Sequence, residues 1–241
     1  WRWWVGSIGA LSAAFLAGHS QSFLLLGYAT AAWVIMLALA HRPIRVRALV
    51  ATWAIVVATI SLTAAQWLPS VEFVSYSVRA NVDYDFVSGG LAWADFWQLL
   101  LPSVLTQYSP LYIGVVGVVL AVSAIAALFR RRRVETDDGN VTILPWRAGI
   151  LFCLGLAILA LLAALGGNGP LYPLLYRVAP GWSWFRGQER AAYLVTMALG
   201  GLAAYGMAAL PTLSQQARRR AAFVAGALVV AAVYAFGLLW R

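Results

Sequence analysis

Apolar residues gather along this chain in long runs. Seven segments stand out, at roughly 3–18, 21–40, 48–67, 111–129, 148–165, 191–210 and 221–240. Most reach the length of about 20 residues that an α-helix needs to cross the hydrocarbon of a bilayer. The runs are rich in Leu, Ala and Val and do not alternate, which argues against the strands of a membrane barrel. Lipid offers no partner to an unpaired backbone amide, so helices are the structure such runs adopt. The pattern therefore predicts an all-α, polytopic transmembrane helical bundle of about seven spans. It forms a single transmembrane domain over residues 1–241.

Two polar stretches between the runs carry shorter patterns. In 68–110, the residues Trp93, Phe96, Trp97, Leu100 and Leu101 share one helical face, with Asp95 and Gln98 off it. This spacing predicts a short amphipathic helix in the membrane interface, its tryptophans at headgroup depth. In 166–190, Leu171, Leu174, Leu175 and Val178 repeat the spacing, and Pro170 sits where the first turn of a helix accepts proline.

Composition agrees with the pattern. The chain is 63% hydrophobic and 10% charged, against about 45–50% and 25% in soluble domains. It carries a formal charge of +9 and no lysine. The arginines concentrate in short loops at 41–47 (HRPIRVR), 130–133 (RRRR) and 217–220 (ARRR). Topology accounts for this placement, which excludes nucleic acid as the partner. The positive-inside rule puts all three in the cytoplasm. Two runs lie between the first and second loops and two between the second and third, as that orientation requires. The cytoplasmic loops are then about 41–47, 130–147 and 211–220, and the outer loops about 68–110 and 166–190. The lone Cys153 permits no intrachain disulfide.

The candidate chemistry lies on the outer side. Asp83 and Asp85, as D-x-D, could share a divalent cation with waters and a phosphate. A solvated loop would carry the same pair, and no other cofactor is indicated. His19 and Gln21, in GHSQ, stand at a helix–helix turn. They are placed either to bond the turn's backbone or to touch a headgroup or sugar. Glu72 and Arg79 follow in the first outer loop, and PGWSWFRGQER carries Arg186, Glu189 and Arg190 behind Trp182, Trp184 and Phe185. An exposed ion pair with Glu189 stabilises by only about 0–1 kcal/mol. Two forked, permanently charged donors suit a phosphate better. If the span beginning near Ala191 extends back one turn, Arg186 and Arg190 share a helical face. The three aromatic side chains would then set their depth.

GHSQ, AAQWLPSVEFVSYSVR, LYIGVVGVVLAV and PLYPLLYRVAPGWSWFRGQER occur in that order. Together they resemble the bacterial YfhO-type membrane protein family, over most of residues 15–210. Ser20 and Gln188 stand where that family usually has proline. The resemblance implies a GT-C-like glycosyltransferase in the bacterial cytoplasmic membrane, its site on the extracytoplasmic face. The implied partners are membrane lipid, a polyprenyl-phosphate-sugar donor and a cell-envelope acceptor. Within that reading Arg186, Arg190 and Arg79 would take the donor phosphate, and Glu72, Asp83 and Asp85 are candidate catalytic carboxylates. The resemblance also implies that this chain is a fragment, with the catalytic aspartate of a first outer loop upstream of Trp1. The competing readings are a lipid or polymer transporter or flippase, which favours broken helices and mid-membrane charge, and a non-catalytic envelope-assembly scaffold. No span carries a charge at its centre, which favours chemistry at the outer face.

Overall fold

A computed structural model describes residues 2–40, 45–77, 82–102, 110–128, 146–212 and 214–239. Every regular element among them is helical. In chain order these are α1 (Arg2–Leu16), α2 (Ser20–Ala40), α3 (Arg45–Leu62), α4 (Ala64–Ser75), α5 (Tyr84–Val87), α6 (Val115–Leu128), α7 (Trp146–Ala164), α8 (Tyr172–Val178), α9 (Ala192–Ala209) and α10 (Gln215–Leu239). Each of the seven apolar runs carries most of one helix, from 14 residues in α6 to 25 in α10. Residues Ser20–Leu39, Trp146–Ala164 and Gln188–Ala209 are long and apolar enough to cross a membrane, and α3 with α4 makes a fourth if that bent pair is one span. Most of arginine loop 41–47, all of RRRR and most of loop 130–147 lie outside the described residues.

The third run departs from a straight helix. α3 ends at Leu62, and α4 leaves it at 72°. The carbonyls freed at such a break need partners, and local side chains supply them. Thr63 Oγ1 donates to the Thr59 carbonyl at 2.8 Å, and Trp67 Nε1 reaches back across the break to the Ile60 carbonyl at 2.9 Å. Pro69 then occupies the interior of α4.

The chain divides into two compact units. The first comprises residues 1–89 and 173–187, the second 90–172 and 188–241. In the second unit α9 packs on α6 and α7, burying Leu194, Val195, Ala198, Leu202, Gly206 and Ala209. Its core joins Ala121 and Ala124 of α6, Ile150 of α7 and Leu202 of α9. The α6–α9 crossing is close because Gly206 has no side chain. A Cβ there would lie within 1.9 Å of the Leu120 carbonyl oxygen. Small residues permit such backbone approach between apolar helices.

The stretch expected to form an amphipathic α-helix is a 3₁₀ helix, Trp93–Leu99. At three residues per turn, positions i and i+3 eclipse. Asp95 and Gln98 therefore stack, and Gln98 Nε2 donates to Asp95 Oδ1 at 2.9 Å. Asp95 Oδ2 accepts the Ala92 N–H at 2.7 Å. This polar pair is buried while Trp93 and Trp97 are exposed. The sense is that of a membrane protein, polar inward and apolar outward. The helix is tied to the end of α7. The Leu91 N–H donates to the Ala164 carbonyl, Asn168 Nδ2 to the Leu91 carbonyl, and Trp93 Nε1 to the Asn168 carbonyl, at 2.8, 3.0 and 3.1 Å. The second patterned stretch is helical as α8, but it starts at Tyr172. Pro173, not Pro170, is thus the proline of its first turn, and Leu174 and Val178 are exposed.

In the first unit α1 and α2 pack on α3, and the strap 173–187 returns to α2 and α5.

Candidate functional site

The strap is held in the first unit by aromatic and backbone contacts. Tyr176 of α8 meets Tyr84 of α5 edge-on, ring centroids 5.1 Å apart. Trp182 is buried and meets Tyr28 of α2 at 5.9 Å. The Tyr28 hydroxyl donates to the Pro180 carbonyl at 2.9 Å. Gln21 Nε2 donates to the Gly187 carbonyl at 3.2 Å, its side chain buried. Aromatic pairs of this kind add about 0.5–1.5 kcal/mol each beyond their buried area, enough together to fix a short irregular segment.

Arg186 is exposed on this strap. Its guanidinium carbon lies 5.6 Å from the centroid of the Phe86 ring, within the range of a cation–π contact. A guanidinium engaged through its face keeps its N–H edge for an anion. The next residue, Gly187, has φ +78°. This left-handed conformation is one that glycine adopts without steric cost.

That glycine also corrects the expected helix. The backbone becomes helical only at Gln188, as a 3₁₀ turn over Gln188–Ala191, before α9 begins at Ala192. Arg186 is therefore not on a helix, and the shared helical face of Arg186 and Arg190 does not form. Arg186 belongs to the first unit and Arg190 to the second. The expected row of three interfacial aromatic residues is also divided, since Trp182 is buried against Tyr28 whereas Trp184 is exposed.

The remaining candidates take different positions. His19 caps α2: its Nδ1 accepts the Ser22 N–H at 3.2 Å and lies 2.9 Å from Ser22 Oγ. The turn histidine thus bonds its own helix. Asp83 precedes α5 with extended backbone, and Asp85 is in its first turn, both exposed. Among the described residues no group of three His, Cys, Asp or Glu side chains could hold a metal ion. The pair builds no closed cation site of its own. Glu72 is exposed on α4. Arg79 lies outside the described residues.

The structure thus gathers Gln21, Phe86 and Arg186 around one strap. Phe86, Tyr28 and Tyr176 were not singled out in the sequence. The signal was weak: aromatic residues next to D-x-D and PLLYR look like ordinary interface anchors until the strap brings them together. No protein-family model, no curated protein and no solved structure matches the chain.

Proposed function

We propose that this protein is an extracytoplasmic-face glycosyltransferase of the bacterial cytoplasmic membrane. It takes a sugar from a polyprenyl-phosphate-linked donor and passes it to a cell-envelope acceptor. In this reading the seven apolar runs are spans, the arginine-rich loops face the cytoplasm, and the strap faces outward. One observation carries the reading. Arg186 is presented on the Phe86 ring by a strap tied to Gln21, with its charge at the surface. Such an arginine can take the donor phosphate and stabilise the negative charge that develops on it as the glycosidic bond breaks. Arg79, from the same unit by chain position, is a further candidate for the phosphate. Gln21 and His19 act on the site indirectly, Gln21 by holding the strap and His19 by capping α2.

A carboxylate must remove the proton of the acceptor hydroxyl. Glu72, Asp83 and Asp85 all belong to the unit that carries Arg186 and are its candidates. The arginine charge can serve where a cation otherwise would.

The test is donor binding by the protein in lipid nanodiscs. Arg186→Ala weakens it by about 2 kcal/mol, roughly 30-fold, as for losing one partner of a desolvated charge contact. Arg186→Lys restores only part. Unchanged binding in a stably folded Arg186→Ala protein would reduce the strap to an interface anchor.

The 72° break between α3 and α4 favours a second reading, a transporter or flippase for an envelope lipid or polymer, since such proteins use interrupted helices. Reconstituted vesicles separate the two. The transferase forms glycosylated acceptor from donor supplied on one side, whereas the flippase moves the donor across without product.

A further inference from the structure

The first unit buries hydroxyls where a membrane bundle normally buries methyl groups. α1 packs chiefly on α3. Among the described residues, the buried residue of α1 is Ser12 and that of α3 is Thr59. Each stands about one turn from the end of its helix. Ser12 lies four residues before the end of α1 at Leu16, and Thr59 three before the end of α3 at Leu62. At 1.5 Å per residue these offsets are about 6 and 4.5 Å. Exposures are 8% for Ser12 and 3% for Thr59, and among the described residues neither Ser12 Oγ nor Thr59 Oγ1 has a hydrogen-bond partner.

Two buried hydroxyls without partners, in apolar surroundings, are costly to leave so. Each has one donor and two acceptor positions. We propose that Ser12 and Thr59 form the site of a single buried water that bridges α1 and α3 just below the break at Thr63.

The chemistry favours water over an alkali cation. A cation needs a shell of oxygens. Here the Thr59 carbonyl already accepts Thr63 N–H and Thr63 Oγ1, and the Ile60 carbonyl accepts Trp67 Nε1. A water needs only 2–4 polar partners, which two hydroxyls and their lone pairs provide. The site lies below the turn that carries His19 and Gln21. It would tie the helix under the candidate site to the helix that breaks. It does not depend on the glycosyltransferase reading.

The test is a double-mutant cycle on the protein in nanodiscs, read by thermal unfolding. Ser12→Ala and Thr59→Val each strand the water and the remaining hydroxyl, lowering the midpoint by roughly 3 °C. The double variant removes the whole polar site and returns close to the parent midpoint. Midpoint losses that simply add would overturn the proposal, because they mean that each hydroxyl bonds its own helix, at the Ile8 or Ile55 carbonyl. A midpoint that tracks sodium or potassium concentration at constant ionic strength would overturn the water assignment. If a variant does not fold, density between Ser12 and Thr59 in an experimental structure of the parent decides. A bridging peak supports the site, and hydroxyls turned onto their own helices with nothing between them overturn it.

Discussion

The two units of this chain bury different things. The second is an apolar helix cluster in which α9 lies against α6 and α7, closed by the bare backbone at Gly206. Its buried polar residues, Asp95, Gln98 and Gln188, lie in the 3₁₀ segments Trp93–Leu99 and Gln188–Ala191, outside the long helices. The first unit buries Ser12, Gln21, Thr59 and Thr63 beside Leu25, Ala29, Ala38, Val87 and Trp182. Its order comes from hydrogen bonds and aromatic edges at the strap as much as from methyl contacts. All the candidate functional residues that the structure describes except Arg190 lie in that unit. Dense apolar packing has few alternative arrangements and makes a scaffold. In the first unit, by contrast, Arg186 is exposed at the surface with its guanidinium over Phe86.

The comparison can be broken hardest at Gly206. A side chain there drives into the Leu120 carbonyl, and overpacking a tight contact costs about 1–3 kcal/mol or more. Gly206→Leu should abolish the cooperative unfolding of the protein in detergent, and Gly206→Ala should lower its midpoint. Full stability of the leucine variant would mean that the α6–α9 crossing is not as close as described.

Asp95→Ala comes next, at about 2 kcal/mol. It strands one hydrogen of the buried Gln98 Nε2 and releases the N–H of Ala92, an exposed residue. Thermal unfolding reads the loss, and hydrogen exchange should show faster exchange at Ala92. An unchanged midpoint would mean that the 3₁₀ helix holds without its carboxylate.

In the first unit, Gln21→Leu removes the tie to the Gly187 carbonyl at about 1 kcal/mol. It should loosen the strap and weaken donor binding with little change in the overall midpoint. If binding holds, Gln21 does not position Arg186.

His19→Ala has the smallest expected effect. It loses a helix cap, on the order of 0.5–1 kcal/mol. His19→Asn should restore stability, since asparagine is among the best caps. A loss of donor binding that asparagine fails to restore would give the imidazole a role at the headgroup beyond capping.

Much of this was legible from patterning, and particular residues show where legibility stops. The long helices coincide with the apolar runs because a run of Leu, Ala and Val has one low-energy structure away from water. His19 as a turn residue, and Gln21 and Arg186 as candidates, followed from their polarity beside such runs. The partners did not follow. Gln21 and Gly187 are 166 residues apart, and no local spacing records that contact. Arg186 and Arg190 looked like one helical face because four residues separate them, but Gly187 at positive φ interrupts the helix. Asp95 and Gln98 lie off the apolar face of an α-helix, but the segment winds with period three, and there they stack on each other and are buried.

The sequence by itself determined that this is an all-helical chain with helices fit for a membrane. Hydropathy and backbone hydrogen bonding act locally and leave such segments no other choice. Only the tertiary structure decided that α3 breaks at Thr63, that the strap returns to α2 and α5, and that Arg186 lies on Phe86. The break rests on local hydrogen bonds, whereas the other two outcomes depend on contacts between residues far apart in the chain. Each is worth about a kilocalorie per mole, too little to leave a mark on local composition and enough, acting together, to select one arrangement.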